Sequence, residues 1–108
     1  AGRACGEPSP MAWDILKRLT SACVSCEDAV AARGMRALAR PLKGDKAIPS
    51  GESGAATMGA LLDVAGDEAA RAALGLDARA RVLLFSTEGD TDRENYRRIV
   101  WDGLHPSY

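Results

Sequence analysis

The spacing of apolar residues along the chain predicts a series of amphipathic helices. Their starts carry residues that cap helices, as at Ser9 before Pro10 and at Thr91 with Glu94 three positions later. Pro41 ends one of them, because proline cannot continue a helix. The predicted helices begin near residues 10, 26, 54, 67 and 91, and the second and fourth end near residues 39 and 75.

Three short apolar segments between these helices are predicted to be strands. The clearest is the continuous apolar run over residues 82–85, which is typical of a strand buried on both faces of a parallel sheet. Residues 22–24 and 47–49 are weaker candidates. Strands that alternate with helices are typical of α/β folds. We therefore predict a single α/β segment over residues 1–108, a partial three-layer sandwich with a small, mainly parallel sheet.

The composition predicts a small hydrophobic core. Hydrophobic residues make up 46% of the chain, but 20 of them are alanine, and Leu, Ile, Val and Phe together supply only another 20. The net charge of −1 does not oppose folding. We expect the chain to fold, but to need further burial from a partner subunit or from a larger protein of which it is one piece.

Several functional classes are disfavoured by the same composition. No apolar stretch approaches the ~20 residues of a membrane span. The 14 basic residues do not exceed the 15 acidic ones, which argues against nucleic-acid binding. Cys5, Cys23 and Cys26 are too few for a disulfide scaffold, so a reduced, cytoplasmic setting is expected. With the lone His105 they form no convincing metal site, and none is predicted.

Two polar loops follow predicted strands and would share one edge of the sheet, where α/β folds bind ligands. They cover residues 50–54, with the sequence SGESG, and residues 86–90, with the sequence STEGD. By spacing alone both are weak signals, and tight-turn chemistry would explain them as well. The acids Glu88, Asp90 and Asp92 are interpreted as complementing a helix dipole rather than as a metal cluster.

Three blocks of the sequence resemble one enzyme family. In chain order they read AGRACGEPSPMAWDIL, SGESGAATMGAL and VLLFSTEGDTDRENYRRIVWDG. They are similar to the C-terminal part of the diaminopropionate ammonia-lyases, which are pyridoxal-phosphate (PLP) enzymes of the tryptophan synthase β-like fold, or fold type II. GESGA and STEGDTD also resemble motifs of serine and threonine dehydratases, serine racemases and threonine synthases. The elements CGEPSP and WDG favour the ammonia-lyases.

The resemblance implies a PLP site of which this chain carries only a part. In this family a lysine in the N-terminal part forms a Schiff base with PLP, so the catalytic lysine is expected upstream of this chain. By the same resemblance, Thr87 would hydrogen-bond the pyridine nitrogen, with Ser86 as the alternative one position away. Glu52 would lie beside the cofactor ring, and Gly2 would pack near the ring and its 3-hydroxyl.

The implied activity is an α,β-elimination that converts 2,3-diaminopropionate to pyruvate and ammonia. The complete enzyme would be a cytoplasmic homodimer acting on a small amino acid, and this segment alone would be inactive. Two alternatives remain open at this stage. One is a serine/threonine dehydratase-like or threonine synthase-like PLP enzyme, and the other is a non-catalytic α/β module that acts through association.

Overall fold

The computed structural model describes residues 6–106, and all regular secondary structure in that range is helical. None of the helices found there is long and apolar enough to cross a membrane. The five helices are α1 (Pro10–Leu19), α2 (Asp28–Ala39), α3 (Glu52–Gly66), α4 (Glu68–Leu74) and α5 (Arg93–Val100).

Helix ends follow the predicted capping residues at several points. Ser9 caps α1 by accepting a hydrogen bond from the Ala12 amide at 3.4 Å, and Asp67 caps α4. Gly75 ends α4 with a positive φ of 65°, which glycine adopts without strain. These predictions are confirmed.

Three predicted helix starts are displaced by about two residues. The capping box at Thr91 does not form; Asp92 caps α5 by accepting from the Asn95 amide at 3.0 Å. The helix predicted to begin near residue 26 begins at Asp28 with no side-chain cap. The helix predicted to begin near residue 54 begins earlier, at Glu52.

Helices α2 and α3 cross at backbone contact distance. A Cβ atom built on Gly34 would lie less than 3.0 Å from the Ala55 carbonyl oxygen, and one on Gly59 would lie that close to the Val30 carbonyl. Gly34 on α2 and Gly59 on α3 therefore permit this close approach. The buried apolar residues of this region, with those of α5, are Ala31, Ala32, Met35, Ala55, Ile99 and Val100.

Arg36 of α2 forms hydrogen bonds with α5 and with the segment that follows it. Its Nε atom donates to the Ile99 carbonyl at 3.1 Å, and its Nη2 atom donates to the carbonyls of Leu104 and His105. The last carbonyls of a helix lack partners within the helix. Arg36 therefore satisfies groups that would otherwise need water, and it holds the end of α5 against the core.

The predicted sheet is absent from residues 6–106, so the α/β prediction with its partial sandwich is wrong for this structure. Residues 22–24, 47–49 and 82–85 contain no paired strand, and Leu83 and Phe85 are 76% and 70% exposed. A strand needs a neighbour that pairs with its backbone amides and carbonyls, and this stretch of chain supplies none. An apolar run indicates that its side chains favour burial. The sequence pattern alone does not show whether its backbone also pairs with a neighbouring strand.

The apolar face of α1 is also uncovered. Met11, Leu16 and Leu19 are half to three-quarters exposed, and α1 packs on none of the other described helices. Within the described range, we distinguish a packed unit, formed by α2, α3 and α5, from an apolar perimeter, formed by α1 and residues 82–85. Helix α4 lies against α3.

Candidate functional site

The two polar loops singled out in the sequence lie side by side in the structure. Ser50 is fully buried, and its hydroxyl donates to the Glu88 carbonyl at 3.2 Å while lying 2.8 Å from the Ser86 hydroxyl. The Gly51 amide donates to the same Glu88 carbonyl at 3.0 Å. The predicted juxtaposition of the loops is therefore confirmed, although hydrogen bonds rather than a sheet edge bring them together.

The Glu88 side chain, in the loop of residues 86–90, caps the start of α3. The N-cap of α3 is Gly51, which has no side chain to offer, and the Ser53 amide donates instead to Glu88 Oε2 at 3.2 Å. The other carboxylate oxygen accepts from the Thr91 hydroxyl at 3.4 Å. A negative charge is favourable at this end of a helix because the helix dipole is positive there. Glu88 was expected to complement a helix dipole, and it does so at the start of α3 rather than at the helix that follows it.

Two glycines make this close contact possible. A Cβ on Gly51 would lie 2.6 Å from the Gly89 carbonyl oxygen, and one on Gly54 would lie 2.7 Å from the Glu88 carbonyl oxygen. Both glycines are buried. The pattern SGESG is thus explained by loop-to-loop packing, in which each glycine leaves room for an atom of the neighbouring segment.

The residues predicted to bind the cofactor have different environments. Thr87 is exposed, and its hydroxyl has no hydrogen-bond partner among residues 6–106. Ser86 is also exposed, but its hydroxyl is engaged by Ser50. Glu52 is half-buried at the first position of α3, and Gly2 lies outside the described residues. Of the two hydroxyls that the sequence left as alternatives, Thr87 is the one that is free to bind another group.

A small acidic cavity lies beside the joined loops. Its volume is about 20 Å³, and its lining includes the side chains of Glu52, Glu88, Asp90 and Tyr96. Burial raises the pKa of Tyr96, and the negative charge of Asp90 raises it further, so the phenol stays protonated at neutral pH. A cavity of this size holds about one water molecule. It is too small for an aromatic ring, whereas a larger cavity of about 280 Å³ lies against Gly54 and Ser86.

Two features of the site are not evident from the sequence. Ser50 provides a buried link between the loops, and the Ser53 hydroxyl is buried without a hydrogen-bond partner within residues 6–106. An unsatisfied buried hydroxyl costs about 1–3 kcal/mol. The available signal was the alternation of serine and glycine in SGESG, which also fits an ordinary turn.

No group of three or more metal-binding side chains occurs in the part of the chain that is described.

Similar proteins were found both by sequence and by structure. The chain is 47% identical to a diaminopropionate ammonia-lyase of Escherichia coli K12, over 97% of this chain and 27% of the relative. A crystal structure of the E. coli enzyme in complex with D-serine superposes with a TM-score of 0.93 at 47% identity, over 98% of this chain and 28% of that one. Another, in complex with an aminoacrylate-PLP azomethine reaction intermediate, gives 0.85 at 45% identity, over 98% of this chain and 29% of that one.

The resemblance stated from the sequence is therefore confirmed across nearly the whole chain. The chain spans only about a quarter of the length of the curated relatives that it matches. No protein-family model matches it.

Proposed function

We propose that this chain is the C-terminal segment of a PLP-dependent diaminopropionate ammonia-lyase. The complete enzyme would eliminate the β-amino group of 2,3-diaminopropionate as ammonia, and hydrolysis of the resulting aminoacrylate by water would give pyruvate and a second ammonia. The observation that carries the proposal is the superposition with a TM-score of 0.93 at 47% identity on the E. coli enzyme. It covers 98% of this chain, so the joined loops fall almost entirely within the matched region.

The residues of the site fit PLP as one wall of its pocket. Thr87 has an exposed hydroxyl without a partner among residues 6–106, and the cavity lined by Glu52 and Glu88 is too small to enclose a ring. The remaining wall and the Schiff-base lysine would come from the upstream part of the enzyme. PLP, when bound, supplies the electron sink that makes loss of the Cα proton feasible.

Within that pocket, Thr87 would donate its hydroxyl hydrogen to the pyridine nitrogen. A neutral hydroxyl does not force this nitrogen to be protonated, whereas a carboxylate would. Glu52 would lie beside the ring, with Ser86 holding the loop through Ser50 rather than binding the cofactor itself. Gly2 is retained as a proposed backbone contact to the cofactor.

The exposed apolar perimeter supports a place within a larger protein. In this proposal the remainder of the enzyme, or a second subunit of a homodimer, covers α1 and residues 82–85, whose side chains are exposed in the segment alone. The single segment over residues 1–108 would not act by itself. We propose a cytoplasmic setting for the enzyme, in keeping with the few cysteines of this chain.

A second candidate reaction is elimination from serine. It is favoured by one observation, that the E. coli relative was crystallised in complex with D-serine. The complete enzyme should be assayed for pyruvate formation from diaminopropionate, D-serine and L-serine under the same conditions. We expect the highest kcat/KM with diaminopropionate. A preference for either serine isomer would replace the first proposal by the second, and no pyruvate from any of the three would overturn both.

Substitutions at Thr87 test the cofactor contact. Thr87→Val keeps the side-chain shape but removes a hydrogen bond worth about 0.5–1.5 kcal/mol, so the dissociation constant of PLP should rise by up to about tenfold. Thr87→Ser keeps the hydroxyl and is the matched control, with an expected constant near that of the wild type. If Thr87→Val binds PLP normally and Ser86→Ala does not, the contact belongs to Ser86 instead.

A further inference from the structure

We propose that Glu88 is a positioning residue, whose carboxylate fixes the loop that carries Ser86 and Thr87 in register with the start of α3. The proposal rests on the proposed function in one respect, namely that Thr87 faces the cofactor. Glu88 itself would touch neither cofactor nor substrate. It would act through the loop.

The first support is that Glu88 binds α3 at two separate points. Its backbone carbonyl accepts from the Gly51 amide at 3.0 Å, and its carboxylate accepts from the Ser53 amide at 3.2 Å. One hydrogen bond would leave the loop free to pivot about it. The two bonds, to amides two residues apart, attach both the backbone and the side chain of Glu88 to the start of α3.

The second support is that the bonded groups lie on both sides of Thr87. Ser86 is held by the buried Ser50 hydroxyl at 2.8 Å, and Glu88 is held by α3. Thr87 has no hydrogen bond of its own within residues 6–106. The position of its hydroxyl therefore depends on its two neighbours, of which Glu88 provides the only side-chain link to α3.

The third support is that α3 has no cap of its own. Gly51 precedes the helix and donates no side-chain acceptor to it. The carboxylate supplied by Glu88 fills that role and gains from the positive end of the helix dipole. Removing it would leave the Ser53 amide without its acceptor, and the loop would keep only its hydrogen bonds to Ser50 and Gly51.

The test compares Glu88→Ala with Glu88→Gln and Asp90→Asn in the complete enzyme. Glutamine keeps a carbonyl oxygen that can accept from the Ser53 amide, so it should preserve the tie. Asp90→Asn removes a negative charge from the same loop and the same cavity without breaking a hydrogen bond to α3, and it serves as the matched control. Hydrogen exchange of peptides covering residues 50–55, the dissociation constant of PLP and the absorption band of bound PLP are measured for each.

For Glu88→Ala we expect exchange at the start of α3 to rise about tenfold, PLP binding to weaken about tenfold and the absorption band to shift. For Glu88→Gln we expect the exchange rate and the dissociation constant of PLP to stay within about threefold of the wild type. The absorption band should keep its position. If hydrogen exchange of residues 50–55 is unchanged in Glu88→Ala, the Glu88 carboxylate does not hold the loop against α3. Faster exchange with unchanged PLP binding and an unchanged band would overturn the positioning role.

The outcome is separable from that of the proposed function. A wild-type enzyme that binds no PLP would overturn the proposed function and the positioning role together. In that case the exchange comparison would still decide whether Glu88 holds the loop against α3, since it requires no cofactor.

Discussion

The packed unit and the apolar perimeter have similar sequence patterns but opposite environments. Both α1 and α2 carry apolar residues at helical spacing, yet Met35 of α2 is 1% exposed and Met11 of α1 is 78% exposed. The difference lies in the available partner. Helix α2 packs on α3 and α5, whereas α1 packs on none of the other described helices. An amphipathic pattern therefore identifies a helix and the face that favours burial, but not what covers that face.

The largest expected effect comes from truncating one methionine in each region. In the 108-residue chain, Met35→Ala should lower the free energy of unfolding by about 2–5 kcal/mol, because it leaves a cavity in the core. Met11→Ala should change it by less than about 0.5 kcal/mol, as expected for an exposed residue. Urea unfolding followed by circular dichroism measures both.

The same pair of variants in the complete enzyme sharpens the comparison. There Met11→Ala should become destabilising by more than about 1 kcal/mol, because the proposed function places the face of α1 against other parts of the enzyme. A neutral Met11→Ala in the complete enzyme would show that this face stays in contact with solvent.

The next effect concerns the glycines of α3. Gly59→Ala should destabilise the chain by about 1–3 kcal/mol, since its Cβ would collide with the Val30 carbonyl and force α2 and α3 apart. Gly66→Ala in the same helix meets nothing within 4 Å, and it should be neutral or stabilise by up to about 1 kcal/mol. Equal effects of the two substitutions on the thermal midpoint would contradict the close crossing of α2 and α3.

The smallest effect compares helix caps in the two regions. Asp92→Ala removes the cap of α5 and should cost about 0.5–2 kcal/mol in global stability, because α5 is packed into the core. Ser9→Ala removes the cap of α1, and because α1 has no partner among the described helices, only its local helicity should fall. Hydrogen exchange resolves the two helices. A global loss of stability from Ser9→Ala would mean that α1 is coupled to the core.

The helices were predictable because their signals are local. Ser9, Asp67 and Gly75 each act on a helix end within a few residues of themselves, so the sequence is sufficient to locate those ends. The strands were not predictable, because pairing at residues 82–85 depends on a neighbour that the described part of the chain does not contain. An apolar run reports only that its side chains favour burial.

The candidate site was predictable in its residues but not in its geometry. The resemblance picked out Ser86, Thr87 and Glu52, and the structure brings the first two beside the loop that leads into the third. The linking residues were missed, because a buried serine at position 50 and a cap supplied by Glu88 across 35 residues leave no periodic signal in the sequence.

The long separation between Ser53 and its acceptor has a consequence for synthesis on the ribosome. Glu88 follows Ser53 by 35 residues, and translation proceeds at about 5–20 residues per second. Glu88, the acceptor for the Ser53 amide, is therefore synthesised about 2 to 7 s after Ser53. Gly34 and Gly59, which form the close contact between α2 and α3, both precede Glu88 in the chain. We therefore expect the two helices to be able to leave the ribosome and pack before the loop of residues 86–90 joins them.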